Sequence, residues 1–234
     1  MIKLLKLELK KQNIRTYIIS SIIVSIVMLG FLFLFAYAPQ IDSNDKDLSF
    51  FAGYKNIISL FSMFNMFVFA VLGSVMYSKF IVEDYMDNKL ILLFSYPIPR
   101  KKVLLSKIML IGGFVILAMI LSLLFNFVTF ISLDYFLKWM NDSFSMAFFV
   151  ELIEKSILMT ISAFCVSFFA CALGFIKKSV PTTIVSAMIL SSMLSNSGVS
   201  NNKSLIYIFA IILICLTVGS FVYLLNKVQK MEVL

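Results

Sequence analysis

A chain of 234 residues that is 61% hydrophobic and only 14% charged cannot cover a soluble surface, where roughly a quarter of residues are charged. Its mean hydropathy is +1.01, and its apolar residues fall in runs of ~20, the length a helix needs to cross hydrocarbon. With no histidine and three cysteines, Cys165, Cys171 and Cys215, all inside apolar runs, it has no disulfide framework or zinc spacing and lacks the usual general base.

Residues 1–15 read MIKLLKLELKKQNIR. Lys3, Lys6 and Lys10 share a helical stripe flanked by leucine and isoleucine, and Lys11 and Arg15 add to the charge. This pattern suits an interfacial helix at a headgroup surface. The other reading is the charged flank of the first span, and both put the N-terminus in the cytoplasm. No small-residue cleavage site follows, so it is not a clean secretory signal.

Six spans follow, at about 17–38, 57–78, 105–133, 156–176, 180–198 and 205–225. The first ends at Pro39. The loop of residues 134–154 has room for a short interfacial helix, with Tyr135 and Trp139 suited to headgroup depth. Glu151 and Glu154 suit the N-terminus of span 4, and Glu151 stands one turn before Lys155. Span 5 opens with Pro181 in its first turn and loses apolar character near Leu194. Irregular or re-entrant backbone, tolerated only when buried or beside water, would then complete that crossing.

With both termini inside, segments 1–15, 79–107, 177–178 and 226–234 face the cytoplasm. They hold 15 of the 20 basic residues against 5 acids, and the outer segments hold 5 against 7. Such a bias is the signature of cytoplasmic loops, so the formal charge of +8 needs no nucleic-acid partner.

The most informative stretch is residues 83–107, EDYMDNKLILLFSYPIPRKKVLLSK. On a helix, Met86, Leu90 and Leu93 share a face, with Glu83 and Asp87 beside it. Pro97 and Pro99 end the segment, and Arg100, Lys101 and Lys102 anchor the start of span 3. The residues describe a short amphipathic element held between two spans.

This order of residues resembles the loop between spans 2 and 3 in permeases of type-2 ABC exporters, including small peptide-antibiotic export and immunity permeases. There an acidic start, a Gly-Thr, a leucine-rich stretch, a proline, an arginine and a later lysine follow one another. The counterparts here are Glu83-Asp84, residues 90–94, Pro97, Arg100 and Lys107, with Asn88-Lys89 in place of Gly-Thr. The resemblance implies a coupling helix, with Glu83, Asp84, Asp87, Asn88, Leu90, Leu93, Phe94, Pro97 and Arg100 meeting a separate ATPase subunit. It further implies a second permease copy or paralogue. The expected fold is an all-α polytopic membrane protein of six transmembrane helices in one domain, in the plasma membrane.

No G-x-x-x-x-G-K-[ST] phosphate loop occurs, so ATP and magnesium are expected on the partner and no cofactor on this chain. An intramembrane metalloprotease is excluded by inventory, with no H-E-x-x-H and no acid pair within a span. Among intramembrane polar residues, Asn65, Asn126 and Thr129 stand out. They read either as part of a substrate path or as interhelical hydrogen-bonding groups. The functional expectation is an exporter permease for an amphipathic substrate, such as a peptide antibiotic or a lipid-like molecule, with a role in antibiotic resistance. The alternative is a non-transporting membrane anchor or accessory protein.

Overall fold

The computed structural model describes residues 5, 8–9, 13–41, 53–85, 99–137, 146–199 and 203–230. Among them every regular element is helical, as the lack of water in a bilayer requires of a chain that cannot close a barrel. Six long helices follow in order: α1 (Ile14–Ile41), α2 (Tyr54–Tyr77), α3 (Arg100–Leu137), α4 (Met146–Lys177), α5 (Val180–Val199) and α6 (Lys203–Lys230). Five are long and apolar enough to cross a membrane, and the apolar part of α5, Val180–Ser195, is shorter.

One loop expectation changes and one lies outside the described residues. The described ends of the 134–154 loop are continuations of α3 and α4, and residues 138–145, with Trp139, the place expected of a short interfacial helix, are not among the described residues. In place of re-entrant backbone, α5 runs as one helix through Val199. Its serines bond back along the helix, Ser192 to the Ile189 carbonyl (2.8 Å) and Ser195 to the Ser191 carbonyl (2.9 Å). Hydroxyls satisfied in this way let a polar sequence stay helical. Twenty residues at about 1.5 Å each span about 30 Å, the thickness of the hydrocarbon.

Helices in lipid associate through close packing of small residues rather than through hydrophobic exclusion. The inner trio α2, α4 and α5 follows that rule. Ala70, Gly73 and Ser74 of α2, Ala163, Ser167 and Ala170 of α4, and Thr183, Ala187 and Ser191 of α5 are all buried. A Cβ on Gly73 would stand 2.8 Å from Val115 Cγ2 and 3.0 Å from Ser167 Cβ, so α2 approaches both neighbours only because that residue has no side chain. The apolar stretches of α2 and α4 are 61% and 67% buried, against 17% for α1 and 28% for α6. With α3 at 39%, α1, α3 and α6 therefore present Ile19, Ile23, Leu34, Leu121, Val128, Ile211 and Val218 as a lipid-facing surface.

Successive helices run in opposite directions, which gathers charge at one end. Tyr17 meets Phe80 (ring centroids 5.3 Å), Tyr85 meets Phe175 (5.4 Å), and Lys227 lies 5.7 Å from the Phe175 ring. Arg15, Lys79, Lys101, Lys102, Lys177 and Lys178 belong to the same end of their helices, which is called the basic end below. The α4–α5 connection also lies there. Lys178 adopts a left-handed conformation (φ 48°), and the Ser179 N–H returns to the Gly174 carbonyl at 3.1 Å, the six-to-one bond of a Schellman turn.

Candidate functional site

The basic end begins where α2 changes its winding. A π-helical turn, Ser78–Val82, follows Tyr77, with the Glu83 N–H reaching back five residues to the Ser78 carbonyl. A 3-10 turn, Glu83–Tyr85, comes next. Single π turns inside helices recur at functional sites. Phe80, Ile81, Val82 and Tyr85 are buried, so this rewound segment is part of the bundle and not a loop.

Lys107 of α3 enters that segment. Its Nζ donates to the Phe80 carbonyl at 2.8 Å and pairs with the Asp84 carboxylate. It also lies 6.0 Å from the centre of the Tyr85 ring. The lysine side chain is 2% exposed and that of Asp84 15%. A lysine at the middle of a span costs ~2.5–3.5 kcal/mol to insert. Here a carboxylate, a carbonyl and a ring face offset that cost near a helix end. Around the pair, Leu104, Ile108, Phe168, Phe175, Leu224 and Val228 complete a hydrophobic cluster contributed by α3, α4 and α6.

Of the residues expected to contact an ATPase, Glu83 and Asp84 form the 3-10 turn and Arg100 opens α3. Asp87, Asn88, Leu90, Leu93, Phe94 and Pro97 lie outside the described residues. So do Lys3, Lys6, Lys10 and Lys11, while Arg15 is exposed in the first turn of α1. The Pro99 carbonyl accepts the N–H groups of Lys102 (2.8 Å) and Val103 (3.4 Å), which starts α3 at the proline. Sequence reasoning set Lys107 in a motif but gave it no site role. The available signal was a lysine within the apolar run of residues 103–111, where an ionisable group is functional by default.

Midway along the bundle the polar residues meet. Ser122 donates to Asn65 Oδ1 (3.3 Å), and Asn126 Nδ2 donates to Ser122 (3.2 Å) and to Ser25 (3.4 Å). Asn65 and Asn126 are fully buried, and the seam ties α1, α2 and α3 together. Thr129 takes no part, bonding instead to the Phe125 and Asn126 carbonyls of its own helix. Asn65 Nδ2 and Asn126 Oδ1 have no partner among the described residues, so the seam retains one donor and one acceptor. Beside it, α1 and α3 border a groove of about 530 Å³, lined by Ile18, Ile22, Ile26, Leu117, Leu121 and Phe125 among others, with Ser25 and Ser122 in its wall.

At the opposite end, Tyr54 donates to Asp134 and Tyr207 to Glu154. Glu151 lies 3.4 Å from Lys155 and 3.6 Å from Lys55 of α2. These contacts join α2, α3, α4 and α6 at the end of the bundle opposite the basic one.

Residues 4–193 match the family model described as ABC-2 family transporter protein. The uncharacterized protein YcbO of Bacillus subtilis (strain 168) is 25% identical over 195 residues, covering 83% of this chain and 84% of that protein. No solved structure matches the chain. With the family model covering most of a multi-pass helical bundle, the chain belongs to the ABC-2 transporter family, membrane transport permeases that normally pair with an ABC ATPase.

Proposed function

We propose that this chain is the permease subunit of an ATP-driven exporter. A separate ATPase carries ATP and magnesium and docks on the segment that starts at Glu83, Asp84 and Asp87 and ends at Arg100. A second permease copy or paralogue completes the path. The observation that carries this reading is the construction of the basic end. There the rewound end of α2 is fastened to the first turns of α3 through Lys107, close to where residues 86–98 join the two, as suits a segment that must receive force.

The substrate in this reading is amphipathic and uncharged where it meets the spans. The apolar groove between α1 and α3 suits its greasy part, and Asn65 and Asn126 offer hydrogen bonds without charge. Peptide antibiotics and lipid-like molecules fit that description. Both termini and the basic end lie in the cytoplasm, following the excess of lysine and arginine there.

Affinity capture of the tagged chain from solubilised native membranes, with mass spectrometry, tests the coupling. The wild type is expected to bring down an ABC ATPase. Glu83→Arg with Asp87→Arg, at equal membrane level, is expected to lower that yield at least about tenfold, as reversed charges at a complementary interface do. A wild type that carries no ABC ATPase would make the chain a membrane anchor or accessory protein instead.

Topology is tested in a background with Cys165, Cys171 and Cys215 replaced. A cysteine placed at Lys101 is expected to react with an impermeant maleimide only after the cells are opened. Labelling in intact cells would reverse the assigned sidedness.

A further inference from the structure

We propose that Lys107 is a positioning residue of the transport cycle, locking the rewound end of α2 onto α3 so that a push on the segment between them moves both spans as one body. The proposal rests on the exporter reading above for its motion, but the lock itself is a property of this chain.

Three observations converge on it. First, Lys107 holds two kinds of acceptor from one short stretch, the main-chain carbonyl of Phe80 and the side chain of Asp84. A side-chain pair alone leaves the backbone free to slide, whereas a bond to the carbonyl fixes the backbone's height against α3. Second, the carbonyl belongs to the π turn, where the Glu83 N–H bonds to Ser78 and the regular four-residue ladder is broken. Third, the ends of the rewound segment have partners on other helices, Phe80 with Tyr17 of α1 and Tyr85 with Phe175 of α4. Displacement of the clamp is therefore felt by four helices.

Stability alone does not account for the arrangement. Exchanging a buried ion pair for well-packed apolar residues is often neutral or stabilising, and setting register is the best-attested use of such pairs. With an uncharged residue at position 84 as well, leucine or methionine at position 107 would add apolar atoms to the cluster of Leu104, Ile108 and Ile111 and leave no charge to desolvate. The neighbouring cations, Lys79, Lys101 and Lys102, are all exposed, so the buried lysine is distinct from the general basic character of this end.

The test uses the full chain with its native cysteines replaced, carrying spin labels at Lys79 and Lys101, in phosphatidylethanolamine–phosphatidylglycerol vesicles. In the wild type the inter-label distance is expected to be narrowly distributed. It should remain so when the captured ATPase is trapped with ATP and vanadate. Lys107→Met is expected to broaden the distribution about twofold and to make its mean shift on trapping, because force then reaches one span before the other. Lys107→Arg should restore the narrow, unshifted distance. Asp84→Asn, which leaves the Phe80 bond in place, should give an intermediate width and guards against a Lys107→Met protein that fails to fold. A Lys107→Met distribution as narrow and as unresponsive as the wild type's would overturn the proposal, and so would a wild-type pair that moves on trapping. The nucleotide-free widths need no partner. A wild type that captures no ATPase therefore removes the exporter reading, while those widths still decide the lock.

Discussion

The two ends of the bundle are held by different chemistry. At the basic end one lysine, 2% exposed, joins α3 to a carboxylate and a carbonyl of the segment after α2. At the opposite end Glu151 is shared between Lys155, itself 21% exposed, and Lys55, which is 58% exposed. An exposed ion pair typically contributes about 0.2–1 kcal/mol and weakens with salt. Removal of one partner from a buried pair costs about 3–5 kcal/mol, because the other charge is left without compensation. At the basic end one lysine thus fixes a single pair, whereas at the opposite end Glu151 is divided between two lysines of different exposure.

Breaking the buried pair gives the largest expected effect. Asp84→Ala should lower stability by about 3 kcal/mol or more, read as a fall in the thermal unfolding midpoint of the detergent-solubilised chain. Asp84→Ala combined with Lys107→Met should recover much of that loss, since no charge then remains buried. Equal losses for single and double variants would mean that the pair is solvated and that the two ends do not differ in kind.

The smallest effect belongs to the opposite end. Glu151→Gln should cost no more than about 1 kcal/mol, and the difference from wild type should shrink as salt is raised. A salt-independent loss comparable with that of Asp84→Ala would place Glu151 in a dry network. Tyr54–Asp134 is the more buried contact of that end, with Asp134 8% exposed against 21% for the Glu151 side chain.

The helices were legible because a span announces itself by length. Runs of ~20 apolar residues leave few alternatives in lipid, and the alternation of basic and acidic loops sorts their ends. Packing partners were less legible. Asn65 and Asn126 stood out as polar residues inside spans, and Ser122, which joins them, reads in sequence only as one of several hydroxyls around them. Thr129 looked equivalent to the two asparagines and instead bonds along its own helix, a choice set by rotamer and not by residue type. The rewinding after Tyr77 has no sequence signature at all. Asp84 and Lys107 lie 23 positions apart, so only the packing of α2 against α3 brings them together. The bounds of span 5 were legible, but its serine-rich end read as irregular because composition weighs serine as polar, whereas a hydroxyl bonded to its own helix presents little polarity to lipid.

The turn between α4 and α5 has a consequence for how the protein is made. Only Lys178 and Ser179 separate the two helices, and Gly174 approaches Thr183 so closely that even a methyl group would collide. No spare chain is available for α4 to insert first and α5 to follow later by a separate route. During synthesis the two must enter the bilayer as a hairpin. The longer apolar stretch of α4, Phe149–Lys177, then carries in the shorter one of α5, Val180–Ser195, with Lys177 and Lys178 at the bend between them.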